Sequence, residues 1–98
     1  MAETFYSRYV KHCMHFYARY RKPEYFRTTA DKKNWQACDN AIKEFSPEEK
    51  ERLLTLYNHG DITTNAFKVA KKDNITMNEV WQLVATLEYK VAKKRGLI

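Results

Sequence analysis

The sequence predicts an all-α protein of about five helices, and three observations predict it. Gly and Pro number two each, too few for the many tight turns of an all-β chain. Charged residues make up 31% of the chain and alternate with apolar ones at three- and four-residue steps, the period of an amphipathic helix. The apolar fraction is 44%, with seven Tyr, five Phe and two Trp. That is enough bulk for one domain, or for two small helical subdomains, residues 1–45 and 46–98, sharing one core.

The first helix is expected over residues 4–20. Phe5, Tyr9, Cys13, Phe16, Tyr17 and Tyr20 recur at helical spacing, Val10 and Met14 widen the stripe, and Arg8, Lys11, His15 and Arg19 lie opposite. Pro23 ends it, because a residue before proline is pushed toward extended geometry. Residues 22–28 read as a connector pinned by Tyr25 and Phe26. A second helix over 29–45 brings Trp35, Cys38, Ile42 and Phe45 to one face, with Asp31 in the dipole-favoured first turn.

The third helix has the clearest start. Ser46-Pro47-Glu48-Glu49 combines an N-cap serine, proline at the first helical position and a capping-box glutamate. Leu53, Leu54, Leu56 and Tyr57 form its inner face, and Gly60 follows as the residue with positive φ. A short fourth helix fits 64–72, with Phe67, Val69 and Ala70 inward, and Asp73-Asn74 breaks it. Thr76-Met77-Asn78-Glu79 is a second capping box opening a long fifth helix to about Arg95. Val80, Leu83, Val84, Leu87 and Val91 form its apolar side, with Trp81 at its margin as an optional member, and Gly96 ends it.

Charge narrows the partner. Lys and Arg number 18 against 12 Asp and Glu, a net +6, which suits a polyanion such as nucleic acid or an anionic membrane surface. No apolar run approaches the ~20 residues of a membrane span, and Met1-Ala2-Glu3-Thr4 does not open a signal peptide. With only Cys13 and Cys38, the expected setting is the reducing cytoplasm. His12, Cys13 and His15 do not converge on one point, so no metal is expected. No cofactor-cradling loop or catalytic constellation is apparent, so an enzyme is not expected. The aromatic–basic run Tyr17, Arg19, Tyr20, Arg21, Lys22, Tyr25, Phe26, Arg27 would suit stacking on single strands. Most of its aromatics follow the helical period, which assigns them to packing.

Residues 66–85 carry the functional signal. A helix-turn-helix needs a small residue where its second helix crosses the first, a residue tolerating positive φ four positions on, an apolar plug after it, and a β-branched inward residue six positions past the turn. Ala70, Asn74, Ile75 and Val80 meet these demands in register, and Leu83 takes the next inward position.

From Phe45 to Ile98 the chain resembles region 4 of bacterial sigma factors and its small phage and mobile-element relatives. The matching text is Phe45-Ser46-Pro47-Glu48-Glu49, Leu56-Tyr57-Asn58-His59-Gly60, Ala70 with Ile75-Thr76, Glu79-Val80-Trp81-Gln82-Leu83 and Leu87-Glu88-Tyr89-Lys90. Trp81 stands near a position where that family usually carries Arg, and the first 45 residues resemble no sigma region. The resemblance implies that the last three helices form a DNA-reading unit, and the N-terminal helical pair is expected to pack on it and complete the core. The fifth helix would enter the major groove of double-stranded DNA.

Docked in that way, Thr76, Met77, Asn78, Trp81 and Gln82 are the base-reading candidates. Asn and Gln pair with adenine, and Thr and Met contact the thymine methyl. Lys68, Lys71 and Lys72 on the fourth helix, with Lys90, Lys93, Lys94 and Arg95 at the far end of the fifth, are the phosphate candidates. A homodimer through the aromatic first helix would add a half-site. The competing expectation is a protein-interaction module with polymerase or another regulator as partner, anchored by exposed Met77 and Trp81.

Overall fold

A computed structural model describes residues 4–19 and 26–98, and in them the chain forms five helices and no strand. These are α1 (Ser7–Arg19), α2 (Thr29–Ile42), α3 (Pro47–Asn58), α4 (Ile62–Asp73) and α5 (Met77–Arg95). The expected helix end at Tyr20, the stop at Pro23, the packing of Tyr25 and the stretch Met1-Ala2-Glu3 lie outside the described residues.

The helices α2 to α5 each start where a side chain takes up orphan backbone donors. Thr28 accepts from Asp31 N in α2. Ser46 and Glu49 form the expected capping box of α3, with Pro47 opening the helix. Asp61 accepts from Thr64 N and starts α4 two residues before the expected position. Thr76 and Glu79 form the capping box of α5. At the other ends, Asn74 (φ 54) and Gly96 (φ 84) take the left-handed conformation just past α4 and α5, and Gly60 (φ 75) follows α3.

The carbonyls at the end of α3 find partners on other elements. Asn65 donates to Leu56 O at 3.0 Å and His59 O at 2.7 Å, and Arg19 donates to Asn58 O at 3.1 Å. His15 Nδ1 lies 2.7 Å from Tyr57 O. The exit of α3 is thereby fixed against both α1 and α4.

One hydrophobic cluster draws on all five helices. Its fully covered members include Val10, Cys13 and Met14 of α1, Cys38, Ala41 and Ile42 of α2, Leu53, Leu56 and Tyr57 of α3, Ala66 of α4, and Val80, Leu87, Val91 and Ala92 of α5. The most extensive helix pairing is α2 on α5. Asn34 Oδ1 sits between them, accepting from Tyr9 at 2.9 Å and from Arg95 at 2.6 Å. Glu88, the only charged residue buried among the described residues, accepts from the Ser7 hydroxyl.

Four expectations are corrected. The buried face of α1 centres on Val10, Cys13, Met14 and Tyr17, which leaves Phe5 exposed (81%) and Tyr9 at the edge. The second helix stops at Ile42, because residues 43–45 must turn the chain to reach the Ser46 cap. Phe67 is 60% exposed instead of inward, since the covered row of α4 is Ala66, Val69 and Ala70 and Phe67 falls on its flank. Met77 and Trp81 are half-buried and packed on the core, so they do not form the exposed anchor expected of them. Both reach inward from the first turns of α5 beside Val80.

Candidate nucleic-acid interface

Residues 74–76 join α4 to α5. The turn is built from the backbone outward. Asn74 N–H and Ile75 N–H both donate to Ala70 O, the latter at 3.0 Å, so one carbonyl closes the helix end. Ile75 packs half-buried on the core, and Val80 is 1% exposed. Arg52 on α3 clamps the base of the turn by an ion pair to Asp73 at 2.7 Å. Three helices therefore fix where α5 begins.

The base-reading candidates divide. Asn78 and Gln82, one helical turn apart, are exposed and share the outward face of α5. Thr76 is exposed, but its hydroxyl is engaged as the cap, accepting from Glu79 N at 3.1 Å. Its methyl is what remains for a thymine. Glu79 likewise has its carboxylate turned back to Thr76 N at 2.7 Å. Met77 and Trp81 lie at the buried margin. Trp81 lines a cavity of about 390 Å³ between α1, α3, α4 and α5, together with Tyr6, Tyr57, Val84 and Glu88. Burial, and next the neighbouring Glu88 carboxylate, push the Tyr57 phenol well above its ordinary range.

The phosphate candidates divide as well. Lys68 and Lys71 are exposed on the side of α4 away from Ala66 and Val69. Lys72 is exposed too, but it shares a depression with Glu48, Glu51 and Asp73, so carboxylates offset its field. Lys90 and Lys94 both bind the Glu44 carboxylate, at 2.9 and 2.7 Å, and Lys90 also sits 6.0 Å from the centre of the Phe45 ring. Those two lysines hold the exit of α2 against α5. Lys93, between them, points to solvent. Arg95 is half-buried on Asn34.

Tyr89 was not singled out from the sequence as an interface residue. It is 50% exposed and stands seven residues beyond Gln82 on the same outward row. The signal was available in its spacing from Asn78 and Gln82.

Among the described residues no group of three or more His, Cys, Asp or Glu side chains could hold a metal ion. No helix there is long and apolar enough to cross a membrane. His12 is exposed, and Cys13 and Cys38 are buried free thiols. Comparison of the chain with family models, curated proteins and solved structures finds no match in any of the three.

Proposed function

We propose that the chain is a small double-stranded-DNA-binding protein of the cytoplasm, a transcription regulator or accessory factor that sets the first turns of α5 in the major groove. The observation that carries this reading is the α4–turn–α5 unit, with its left-handed Asn74, and the amides of Asn78 and Gln82 exposed just beyond the turn. Both amides have the donor and acceptor pair that adenine matches. Lys68 and Lys71, exposed on the preceding helix, supply sequence-independent attraction to the backbone. The net charge of +6 adds long-range steering.

The protein-interaction alternative is less well supported, because Met77 and Trp81 are half-buried on the core.

The reading is tested by binding to a pooled random-sequence DNA duplex at low and moderate salt, alongside Lys68→Glu/Lys71→Glu. The expected result is salt-sensitive binding that the double variant loses, since each phosphate contact contributes roughly 0.9 to the slope of log affinity against log salt. Failure of the wild-type protein to bind duplex at low salt would overturn it.

A further inference from the structure

We infer that α5 spans the major groove of B-form DNA, with Tyr89 and Lys93 holding the phosphate backbone on the side of the groove opposite its entering end. The inference rests on the DNA-binding reading above and extends it to the form of duplex and the second strand contacted.

Four observations carry it. The first is length. α5 has 19 residues, so at 1.5 Å per residue Tyr89 lies about 16 Å and Lys93 about 22 Å beyond Asn78 along the axis. A B-form major groove is about 12 Å wide. A helix whose first turns touch bases and whose axis crosses the groove carries its last turns past the groove edge, where the phosphates are. The second is alignment. Asn78, Gln82, Thr86, Tyr89 and Lys93 are all exposed and fall on one row at about 100° per residue.

The third is charge. The carboxylates of α5 are Glu79, turned back into its capping box, and Glu88, buried on Ser7. The outward row thus presents no carboxylate to a polyanion. The fourth is the division of labour among the lysines. Lys90 and Lys94 are tied to Glu44, whereas Lys93 is exposed and takes part in none of the described ion pairs. Tyr89 contributes a hydroxyl donor on a rigid ring.

A contact of this shape also selects the duplex. The major groove of A-form RNA is too deep and narrow for a helix, so RNA duplex should not substitute.

The test measures affinity for a pooled DNA duplex across a salt series with wild type, Lys93→Gln, Tyr89→Phe and Lys90→Gln/Lys94→Gln, and repeats wild type with an RNA duplex of the same sequences. All four positions except Lys90 are exposed, and circular dichroism confirms folding. Lys93→Gln is expected to reduce the salt slope by about 1 and affinity by about threefold to tenfold, equally for all DNA sequences. Tyr89→Phe should weaken binding with the slope unchanged, and wild type should bind RNA at least tenfold more weakly. If Lys93→Gln leaves affinity and slope intact while Lys68→Glu/Lys71→Glu abolishes binding, the far-strand contact is wrong and the DNA reading stands. A slope lost in Lys90→Gln/Lys94→Gln instead, or RNA bound as tightly as DNA, would likewise overturn the inference. Absence of wild-type binding would overturn both.

Discussion

Single residues in this protein carry two demands at once, and the conflict shows most clearly at Glu44. Its carboxylate accepts from Lys94 and Lys90 together, and those hydrogen bonds hold it down to about 2, well under the usual carboxylate range. A group depressed in the folded state stabilises above its unfolded value and loses that effect as pH falls through the folded one. The difference in stability between wild type and Glu44→Gln should therefore be small and positive near neutrality, then shrink to zero as pH drops from about 4.5 to about 2. Urea titrations along that range read it, and high salt should erase it, because the side chain is 42% exposed and solvent screens the pair. The same pairings explain why Lys90 and Lys94 could not be sorted from Lys93 by sequence. Their partner lies 46 residues away for Lys90, and helical period and dipole placement treat the three lysines alike.

At the scale of the element, ends were readable and faces were less so. Capping is local chemistry, written within a few residues, and both capping boxes and the left-handed Asn74 occur as the spacing requires. The Asp61 cap was equally local, an acceptor three residues before Thr64 N, yet the apolar pattern of so short a helix drew the start inward. Faces depend on neighbours. In α1 and the residues leading into it, Phe5, Tyr9, Val10, Cys13, Met14, Phe16 and Tyr17 spread over about half the circumference, so period alone cannot choose the centre, and contact with α2 and α3 does. Thr76 is where cap and candidate interface meet. Thr76→Ala should cost about 1 kcal/mol of stability by removing the cap. Thr76→Ser keeps the hydroxyl and should hold stability, so any loss of affinity in it isolates the methyl. Thermal melts beside duplex binding separate the two, and a stable Thr76→Ala would show that the cap contributes little.

For the molecule as a whole, the proposed DNA-reading unit takes up only the C-terminal part of the chain, but the core belongs to all of it. Leu87, Val91 and Ala92 of α5 are fully covered, and α5 packs most extensively on α2. Residues 46–98 expressed alone should expose that surface and lose cooperative unfolding, while the full chain melts in one transition. A fragment with a sharp thermal transition and full duplex affinity would instead make the first two helices an independent module. The five-helix architecture followed from patterning, and of the candidate residues on α4 and the start of α5, Lys68, Lys71, Asn78 and Gln82 are exposed while Met77 and Trp81 are half-buried. The sharing of one core between the halves had no local signal, because each helix shows only that it has an inward face.

The two thiols give this core a clock. Cys13 and Cys38 are 1% and 0% exposed. Burial keeps both sulfurs from an alkylating reagent while the helices are closed; their shared hydrogen bond lowers the Cys13 thiol and, with burial, pushes the Cys38 thiol far above its ordinary range. Each labelling event must then wait for α1 and α2 to part. With reagent in excess, so that attack outpaces reclosing, the rate at which mass is gained in native buffer reports the rate of those openings without any denaturant.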